Sequence, residues 1–277
     1  MTIYDLHTHS TCSDGKFPPK DVVNQAFKNG VKYLALTDHD TVSGISEALE
    51  AANELGLKLI PGIELSTEHN GESIHVLGYF RDDEYKNPDF LKILENIRKG
   101  RIKRAYEIVE KLKKHFNIKL DIDKVLAGGS ETIARPHIAK AIINAGYPYD
   151  MNCIFDTMIG NNCKAYVPST TMPTSEGIEI LKNFNAFAVL AHPIYIKKTP
   201  LSEILKFDFD GIEAIYAQNT ENQTHDLLEL VKSNNLLTSC GSDCHGYFDN
   251  PTHPVIGKIK TNPNTNVDEL LNWVTTI

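Results

Sequence analysis

Residues 3–40 of the chain read IYDLHTHSTCSDGKFPPKDVVNQAFKNGVKYLALTDHD and decide its fold. The segment Ile3 to His7 predicts a strand, Pro19 to Asn29 predicts a helix that Gly30 closes, and Lys32 to Thr37 predicts a second strand. A strand, a helix and a strand in that order are typical of the βαβ unit of a mostly parallel sheet. This stretch therefore predicts an α/β fold.

The alternation of strands and helices continues on both sides of a helical interruption. Further elements are predicted at Ser43–Leu55 (helix), Leu57–Glu64 and Ser73–Phe80 (strands), Ser175–Asn183 (helix), Ala186–Ala191 and Gly211–Tyr216 (strands), Glu221–Asn234 (helix) and Leu237–Gly241 (strand). A 3.6-residue apolar period predicts one long helix from Asn87 to about Phe116, and residues 117–171 show no strand alternation. We therefore predict an α/β barrel formed by residues 1–100 and 172–277, with a helical insertion at 101–171.

Length and charge restrict the classes of function. The 277 residues suffice for one α/β barrel or for about two average domains. The 28 basic residues are outnumbered by 36 acidic ones, which gives a net charge of −8. This surplus argues against a duplex-DNA binder, which needs a basic face. It is compatible with a phosphorylated substrate, because bound metal ions can supply positive charge.

Cysteine usage and hydropathy predict the compartment. The five cysteines are odd in number and irregularly spaced, as expected of reduced thiols in the cytoplasm. The first residues lack the pattern of a signal peptide, and no stretch approaches the length of a membrane span. We expect a cytoplasmic protein without membrane contact, and the sequence indicates no protein partner.

Histidines and carboxylates follow most of the predicted strands. The clusters are Asp5-Leu6-His7-Thr8-His9, Thr37-Asp38-His39-Asp40, Pro61-Gly62-Ile63-Glu64, Ala191-His192-Pro193 and Gly241-Ser242-Asp243-Cys244-His245, while His75 lies within the fourth strand. The carboxyl ends of barrel strands form the rim on which active sites are built. Histidine with carboxylate is a ligand set for Zn, Mn and Fe. The pattern predicts a metal centre at the rim.

The spacing supports this interpretation. His7 and His9 lie on one side of an extended strand because side chains alternate with period two, and Asp243 and His245 are spaced in the same way. The candidate ligands are His7, His9, Asp14, His39, Glu64, His75, His192, Asp243 and His245. Such a set suits two or three ions bridged by carboxylates. A lone histidine at a strand end is more often an ordinary hydrogen-bonded residue, and His75 alone has little support from its context. Asp38 and Asp40 could orient imidazoles or merely form a turn before the next helix.

These motifs together resemble the PHP (polymerase and histidinol phosphatase) family of metal-dependent phosphoesterases. The resemblance spans nearly the whole chain, and it adds His7-Thr8-His9-Ser10, Ser13-Asp14-Gly15 and His75-Val76-Leu77-Gly78 to the clusters above. It implies a distorted (β/α)7 barrel with two or three divalent ions at the rim, Mn first and Fe or Zn as alternatives. It also implies catalytic roles for His7, His9, His39, His192 and Asp243.

A narrower resemblance concerns the long helix and the insertion. Arg101-x-x-Arg104 and Ala134-Arg135-Pro136-His137 resemble the PHP subgroup that includes nucleoside 3′,5′-bisphosphate phosphatase and the 5′-to-3′ exoribonuclease called ribonuclease AM. The resemblance implies that Arg101, Arg104, Arg135 and His137 hold a substrate phosphate above the metal site. Arg101 and Arg104 share a helix face, and an arginine fork matches phosphate oxygens, although a solvated helix face is the alternative.

The function implied is metal-dependent hydrolysis of a phosphate ester, in a nucleotide such as a nucleoside 3′,5′-bisphosphate or at the 5′ end of short single-stranded RNA. His192 could protonate the leaving oxygen, although its ligand role competes with this. Histidinol-phosphate phosphatase is the alternative within the family, and the arginine-rich helix argues against it. A polymerase-associated exonuclease is disfavoured because the chain has no room for a polymerase. A non-catalytic binding module would be expected to lack ligands, and none is missing.

Overall fold

A computed structural model describes residues 3–128, 132–168, 172–247, 254–259 and 267–275. Seven strands lie in these residues: β1 (Ile3–Asp5), β2 (Val31–Leu36), β3 (Lys58–His69), β4 (Glu72–Phe80), β5 (Ala186–Leu190), β6 (Gly211–Tyr216) and β7 (Leu237–Gly241). They form one sheet in sequence order. The amide of Leu6 donates to the carbonyl of Cys240 (3.0 Å) and that of His9 to the carbonyl of Cys244 (3.1 Å), so the first strand meets the last. The predicted α/β barrel is confirmed.

One strand reverses direction. β1, β2 and β3 are parallel, as are β5, β6 and β7, but β4 is antiparallel to both of its neighbours. β3 and β4 form a hairpin through Asn70 and Gly71, both of which have positive φ (52° and 73°). An Asn-Gly pair favours such a tight turn. Because β4 is inverted, His75 reaches the rim from near the start of its strand. The candidate ligands that follow β1, β2, β5 and β7 come from the carboxyl ends of those strands, and Glu64 lies within β3.

The interior is closed below the rim by Tyr79. This β4 side chain is fully buried, and its hydroxyl lies 2.9 Å from the carbonyl oxygen of Leu6 and 2.8 Å from Ser239 Oγ. Leu6 follows β1 and Ser239 belongs to β7, neither of which pairs with β4 in the sheet. The contact therefore crosses the barrel.

Helices cover the outside of the sheet and form the insertion. They are α1 (Pro19–Lys28), α2 (Ile45–Leu55), α3 (Pro88–Phe116), α4 (Ile122–Gly128), α5 (Arg135–Asn144), α6 (Met151–Ile154), α7 (Thr174–Asn183), α8 (Leu201–Ile204), α9 (Glu221–Ser233) and α10 (Val267–Thr275). The long helix α3 begins where Asn87 Oδ1 accepts from the amide of Asp89 (3.0 Å), and it ends at Asn117 in a left-handed conformation. Such caps satisfy backbone groups that a helix end leaves free. α8 and α10 lie outside the elements predicted from the sequence.

α3 connects two hydrophobic cores. Phe90 and Leu94, in its first half, pack with barrel residues such as Phe80. Ile108 and Leu112, in its second half, belong to a cluster formed with the insertion helices and their connections. The division into a barrel (1–100 and 172–277) and an insertion (101–171) stays a proposal. In the part of the chain that the structure describes, no helix is long and apolar enough to cross a membrane.

Candidate metal centre and phosphate site

Glu64, at the rim of β3, lies at the centre of a buried cluster of imidazoles. Its Oε2 lies 3.1 Å from His7 Nε2, 3.2 Å from His9 Nε2 and 3.1 Å from His39 Nδ1. The side chain of Glu64 is fully buried, as are those of His7 and His9. Three imidazoles from two strands thus converge on one carboxylate oxygen.

The other oxygen of Glu64 faces the opposite side of the barrel. Oε1 lies 2.8 Å from His75 Nδ1 and 2.9 Å from His192 Nε2. The inverted strand β4 and the turn after β5 therefore bring their histidines to the same carboxylate. His75, which has little support from sequence context, lies with the other candidate ligands.

Asp14, Asp243 and His245 complete the cluster. Asp243 Oδ1 lies 3.0 Å from His9 Nε2 and 3.5 Å from His7 Nε2. Asp14 Oδ1 lies 3.2 Å from His245 Nε2. The structure thus brings together all nine candidate ligands predicted from the sequence, with His192 joined through Glu64.

The cluster has the ligand types of a metal centre, and several of its buried polar atoms have no hydrogen-bond partner among the described residues. Three groups have ligand atoms within 4.8 Å of one another, namely His9/Asp14/His39/His245, His7/His9/Glu64/Asp243 and His39/Glu64/His75. The buried atoms His7 Nε2, His9 Nδ1, His9 Nε2, His39 Nδ1 and Glu64 Oε2 have no hydrogen-bond partner among the described residues. Buried polar atoms rarely stay unpaired, because each costs free energy. Divalent cations would satisfy them, so the residues fit two or three ions.

The charges of the cluster are balanced within it. Burial alone would raise the pKa of Glu64, but the imidazoles of His39, His7 and His75 outweigh burial and hold this pKa well below its usual range. Burial lowers the pKa of His39 to about 4 against the attraction of Glu64 and Asp14. Burial would lower the pKa of His7 and His9, but Glu213, Glu64 and Asp243 outweigh it and raise both, that of His9 to about 10. These protonated imidazoles balance the carboxylates in the absence of metal, and binding of metal would displace their protons.

Asp38 holds the loop that carries Asp14. Its Oδ1 accepts hydrogen bonds from the amide of Ser10 (2.7 Å) and from Ser13 Oγ (2.6 Å), and its Oδ2 accepts from Ser10 Oγ (2.6 Å). These bonds fix the chain between His9 and Asp14. Among the hydrogen bonds of the described residues, Asp38 contacts no imidazole. It holds the Ser10–Ser13 loop instead.

Glu213 is a polar residue of the site that sequence reasoning missed. It lies on β6, is fully buried, and its Oε1 lies 3.0 Å from His7 Nδ1. Its Oε2 accepts a hydrogen bond from the amide of His192 at 2.8 Å. A single acidic residue within the apolar strand 211–216 was the available signal.

Arg101 is paired within the protein. Its Nε donates to Asp40 Oδ2 at 2.7 Å, its Nη2 also contacts that oxygen, and Nη2 donates to Ser66 Oγ at 2.7 Å. Arg101 is 6% exposed, so it does not lie on a solvated helix face. Asp40 therefore ties α3 to the rim of the barrel and neutralises the Arg101 charge.

Among the residues that the structure describes, Arg104 and Arg135 have no such carboxylate partner. Arg104 Nε donates to the carbonyl of Val167 (2.9 Å), but its buried Nη2 has no hydrogen-bond partner among the described residues. Arg135 Nη1 donates to Asn161 Oδ1 (3.1 Å). Burial lowers the pKa of both arginines, with a further contribution for Arg104 from the charge of Arg135. Two guanidinium groups without carboxylates form a site suited to an anion.

Both arginines face the metal ligands across one cavity of about 220 Å³. Its lining includes Asp14, His39, His75, Arg101, Arg104 and Arg135. Phe155 and Tyr166 also line it, and each ring lies within 6 Å of the Arg135 guanidinium carbon.

His137 is involved in capping α5, where its Nδ1 accepts from the amide of Ala134 (3.0 Å).

Comparison with known proteins agrees with this geometry. Residues 5–115 match the family model described as the PHP domain. A 5′-3′ exoribonuclease of Haemophilus influenzae is 34% identical over 87% of this chain and 89% of its own length. A 3′,5′-nucleoside bisphosphate phosphatase of Chromobacterium violaceum is 29% identical over 88% of each chain. A solved structure from Bifidobacterium adolescentis, described as a metal-dependent phosphoesterase, has a TM-score of 0.84 at 31% identity and covers 98% of this chain and 96% of that chain.

Fold and rim together define a seven-stranded barrel protein with a histidine–carboxylate centre. The chain covers most of the length of the relatives named above, and its identity to the exoribonuclease extends far beyond the motifs. The chain belongs to the PHP family, and the resemblance drawn from its sequence is confirmed.

Proposed function

We propose that the protein hydrolyses phosphate esters of nucleotides in a metal-dependent reaction, with a nucleoside 3′,5′-bisphosphate or the 5′ end of short single-stranded RNA as substrate. One observation carries the proposal: Arg104, whose buried Nη2 has no hydrogen-bond partner among the described residues, lines the same cavity as members of the histidine–carboxylate cluster. The relatives named for exoribonuclease and bisphosphate phosphatase activity support this substrate class.

The nine clustered side chains would hold two or three divalent ions, for which we propose Mn²⁺, with Fe and Zn compatible with the same ligands. When bound, such ions activate water and neutralise the charge of phosphate oxygens. Glu64 contributes both carboxylate oxygens to this arrangement, with imidazoles on either side. His7, His9, His39, His192 and Asp243 are the residues proposed to take part in catalysis around the reacting phosphate.

Arg104, Arg135 and His137 are proposed to bind a second phosphate of the substrate. Arg104 and Arg135 form no salt bridge with a carboxylate of the described residues, so their charges are available to an anion. Charge-assisted hydrogen bonds to phosphate are about twice as strong as neutral ones. Arg101 belongs to the same wall, but its pairing with Asp40 leaves it less charge for a ligand.

We also propose a cytoplasmic location and no role for duplex DNA. All five cysteines are free, which agrees with a reducing compartment. The surplus of acidic over basic residues argues against duplex DNA, whose binding needs a basic face.

A substrate panel tests the proposal. The protein is assayed with Mn²⁺ on adenosine 3′,5′-bisphosphate, on oligoribonucleotides with 5′-phosphate or 5′-hydroxyl ends, on histidinol phosphate and on p-nitrophenyl phosphate. We expect turnover of the bisphosphate or of the 5′-phosphorylated RNA, and a large preference for the 5′-phosphate over the 5′-hydroxyl end. Exclusive turnover of histidinol phosphate would show that the alternative within the family is correct.

A further inference from the structure

We propose that Glu213 is a positioning residue of the metal centre, whose carboxylate holds His7 and His192 in the orientation needed to bind the ions. The inference rests on the proposed function, because it assumes that the clustered histidines are metal ligands. It assigns a role to Glu213, a buried acid on β6, which is a strand that carries no candidate metal ligand.

Both oxygens of Glu213 are engaged by candidate ligands. Oε1 lies 3.0 Å from His7 Nδ1, and Oε2 accepts from the backbone amide of His192 at 2.8 Å. Glu213 thus contacts the ring nitrogen of His7 opposite the one that faces Glu64, and it contacts His192 through the backbone. This is the position of a partner that orients the ligands.

The location of Glu213 in the barrel agrees with this role. Among the described strands, the other six each bring a candidate ligand to the rim, whereas β6 brings none. From β6, Glu213 contacts the histidine that follows β5 and reaches past β7 to His7 after β1. Gly241 of β7 leaves the space for that contact, because a Cβ there would lie 2.4 Å from Glu213 Oε1 and 2.2 Å from His7 Cβ.

On His7, the contact selects which nitrogen faces the ions. If Nδ1–H donates to Glu213, the lone pair on Nε2 points to Glu64 and Asp243, at 3.1 and 3.5 Å. Metal-bound histidines commonly donate their second ring N–H in this way, which fixes the tautomer and the ring plane.

On His192, the contact stabilises an unusual backbone. His192 has φ 26° and ψ 65°, a left-handed conformation that a residue with a Cβ rarely adopts. Such conformations cost about 1–3 kcal/mol and persist where surrounding contacts hold them. Glu213 binds the His192 amide while Glu64 lies 2.9 Å from its ring, so two carboxylates hold the residue at both ends.

Glu213→Gln tests the role while nearly keeping the side-chain volume. The amide has one acceptor oxygen, so only one of the two N–H groups finds a partner. We expect affinity for Mn²⁺, measured by calorimetric titration, to fall about 10- to 100-fold, as for other partners of metal-bound histidines. The control is Tyr79→Phe, which also removes a buried polar group from the barrel but contacts no candidate ligand. It should lower the melting temperature in chelator and leave Mn²⁺ affinity within twofold of wild type.

A melting temperature lowered by Glu213→Gln together with unchanged Mn²⁺ affinity would overturn the inference and make Glu213 a purely structural residue. If this variant does not fold, ¹⁵N NMR of the wild-type protein loaded with Zn²⁺ decides: His7 should carry its proton on Nδ1 and bind metal through Nε2, and the reverse assignment would overturn the inference. Failure of the wild-type protein to bind Mn²⁺ or Zn²⁺ would instead contradict the proposed metal centre.

Discussion

Replacing Arg104 by methionine is expected to make the metal-free protein more stable and the enzyme less active. Arg104 is 7% exposed, one of its terminal nitrogens is buried without a partner, and burial lowers its pKa to about 9. These are signs of a charge held in place at a cost in folding free energy. Methionine has a similar length and fills the same space without the charge.

Two opposing contributions determine how Arg104→Met changes the free energy of unfolding. Replacing buried ion pairs by apolar side chains of similar size is neutral or stabilises by about 1–4 kcal/mol, and a buried charge without a carboxylate partner should gain at least as much. Losing the bond from Arg104 Nε to the carbonyl of Val167 costs about 1 kcal/mol. We expect a net gain of about 1–2 kcal/mol, or roughly 2–8 °C in melting temperature in the presence of chelator. Losing a buried charge pair with phosphate costs about 2–5 kcal/mol, so kcat/KM should fall at least about 30-fold.

The assay compares two variants of the same helix. Arg104→Met and Arg98→Met are melted in EDTA with and without inorganic phosphate, and kcat/KM is measured on adenosine 3′,5′-bisphosphate. Arg98 is exposed and lines a different cavity, so its replacement should change neither quantity by much. Arg104→Met should abolish most of the stabilisation by phosphate. A lower melting temperature together with unchanged kcat/KM would refute the reasoning, since it would make Arg104 an ordinary structural residue.

Three further outcomes are expected. The double substitution His7→Ala/His9→Ala should abolish hydrolysis and reduce the Mn²⁺ content measured by elemental analysis, and activity with intact metal content would contradict the ligand assignment. Mn²⁺ at 100 times its Kd should stabilise the wild-type protein by about 2.7 kcal/mol per site, measured by thermal unfolding, and the double variant should show much less. Glu72→Gln should destabilise the protein by about 1 kcal/mol near pH 7, and this difference should shrink as the pH falls below about 4.5; a difference independent of pH would contradict it.

The sign of the Glu72 prediction follows from its contacts. Burial would raise the pKa of Glu72, but hydrogen bonds from the amides of Lys197, Lys198 and Thr199 outweigh it and lower the pKa below the usual 4.5. A carboxyl with a lowered pKa stabilises the fold above its unfolded pKa and loses this effect as acid protonates it. Denaturant unfolding of both proteins between pH 3.5 and 7 measures the difference.

Six of the predicted strands agree with the structure to within two residues, because strands and their ligands repeat a local pattern, but β3 continues past its predicted end at Glu64 to His69. His7-x-His9 and Asp243-x-His245 carry their geometry in the alternation of side chains along an extended chain. The direction of β4 does not follow from its own residues, but Asn70-Gly71 before it is a hairpin signal. Helix α10 also has a local signature, with Val267, Leu270, Leu271 and Val274 buried at helical spacing.

What the sequence could not provide is pairing between distant residues. The partner of Arg101 is Asp40, 61 positions earlier, and no local pattern connects the two. Arg101 and Arg104 lie one helical turn apart, so the sequence does not distinguish their roles. In the described structure Arg101 has a carboxylate partner and Arg104 has none. The role of Glu213 likewise depends on the curvature that brings β6, β1 and the turn after β5 together.

The tie between Arg101 and Asp40 has a consequence for substrate length. It anchors α3 to the rim one turn before Arg104, so the folded scaffold sets the separation between Arg104 and the candidate metal ligands. If both positions bind phosphate as proposed, this separation acts as a gauge, because a substrate engages both only if its own phosphates are spaced to match. Selectivity for one nucleotide's span over a longer or shorter molecule would then come from a distance built into the protein, independently of any contact with the base.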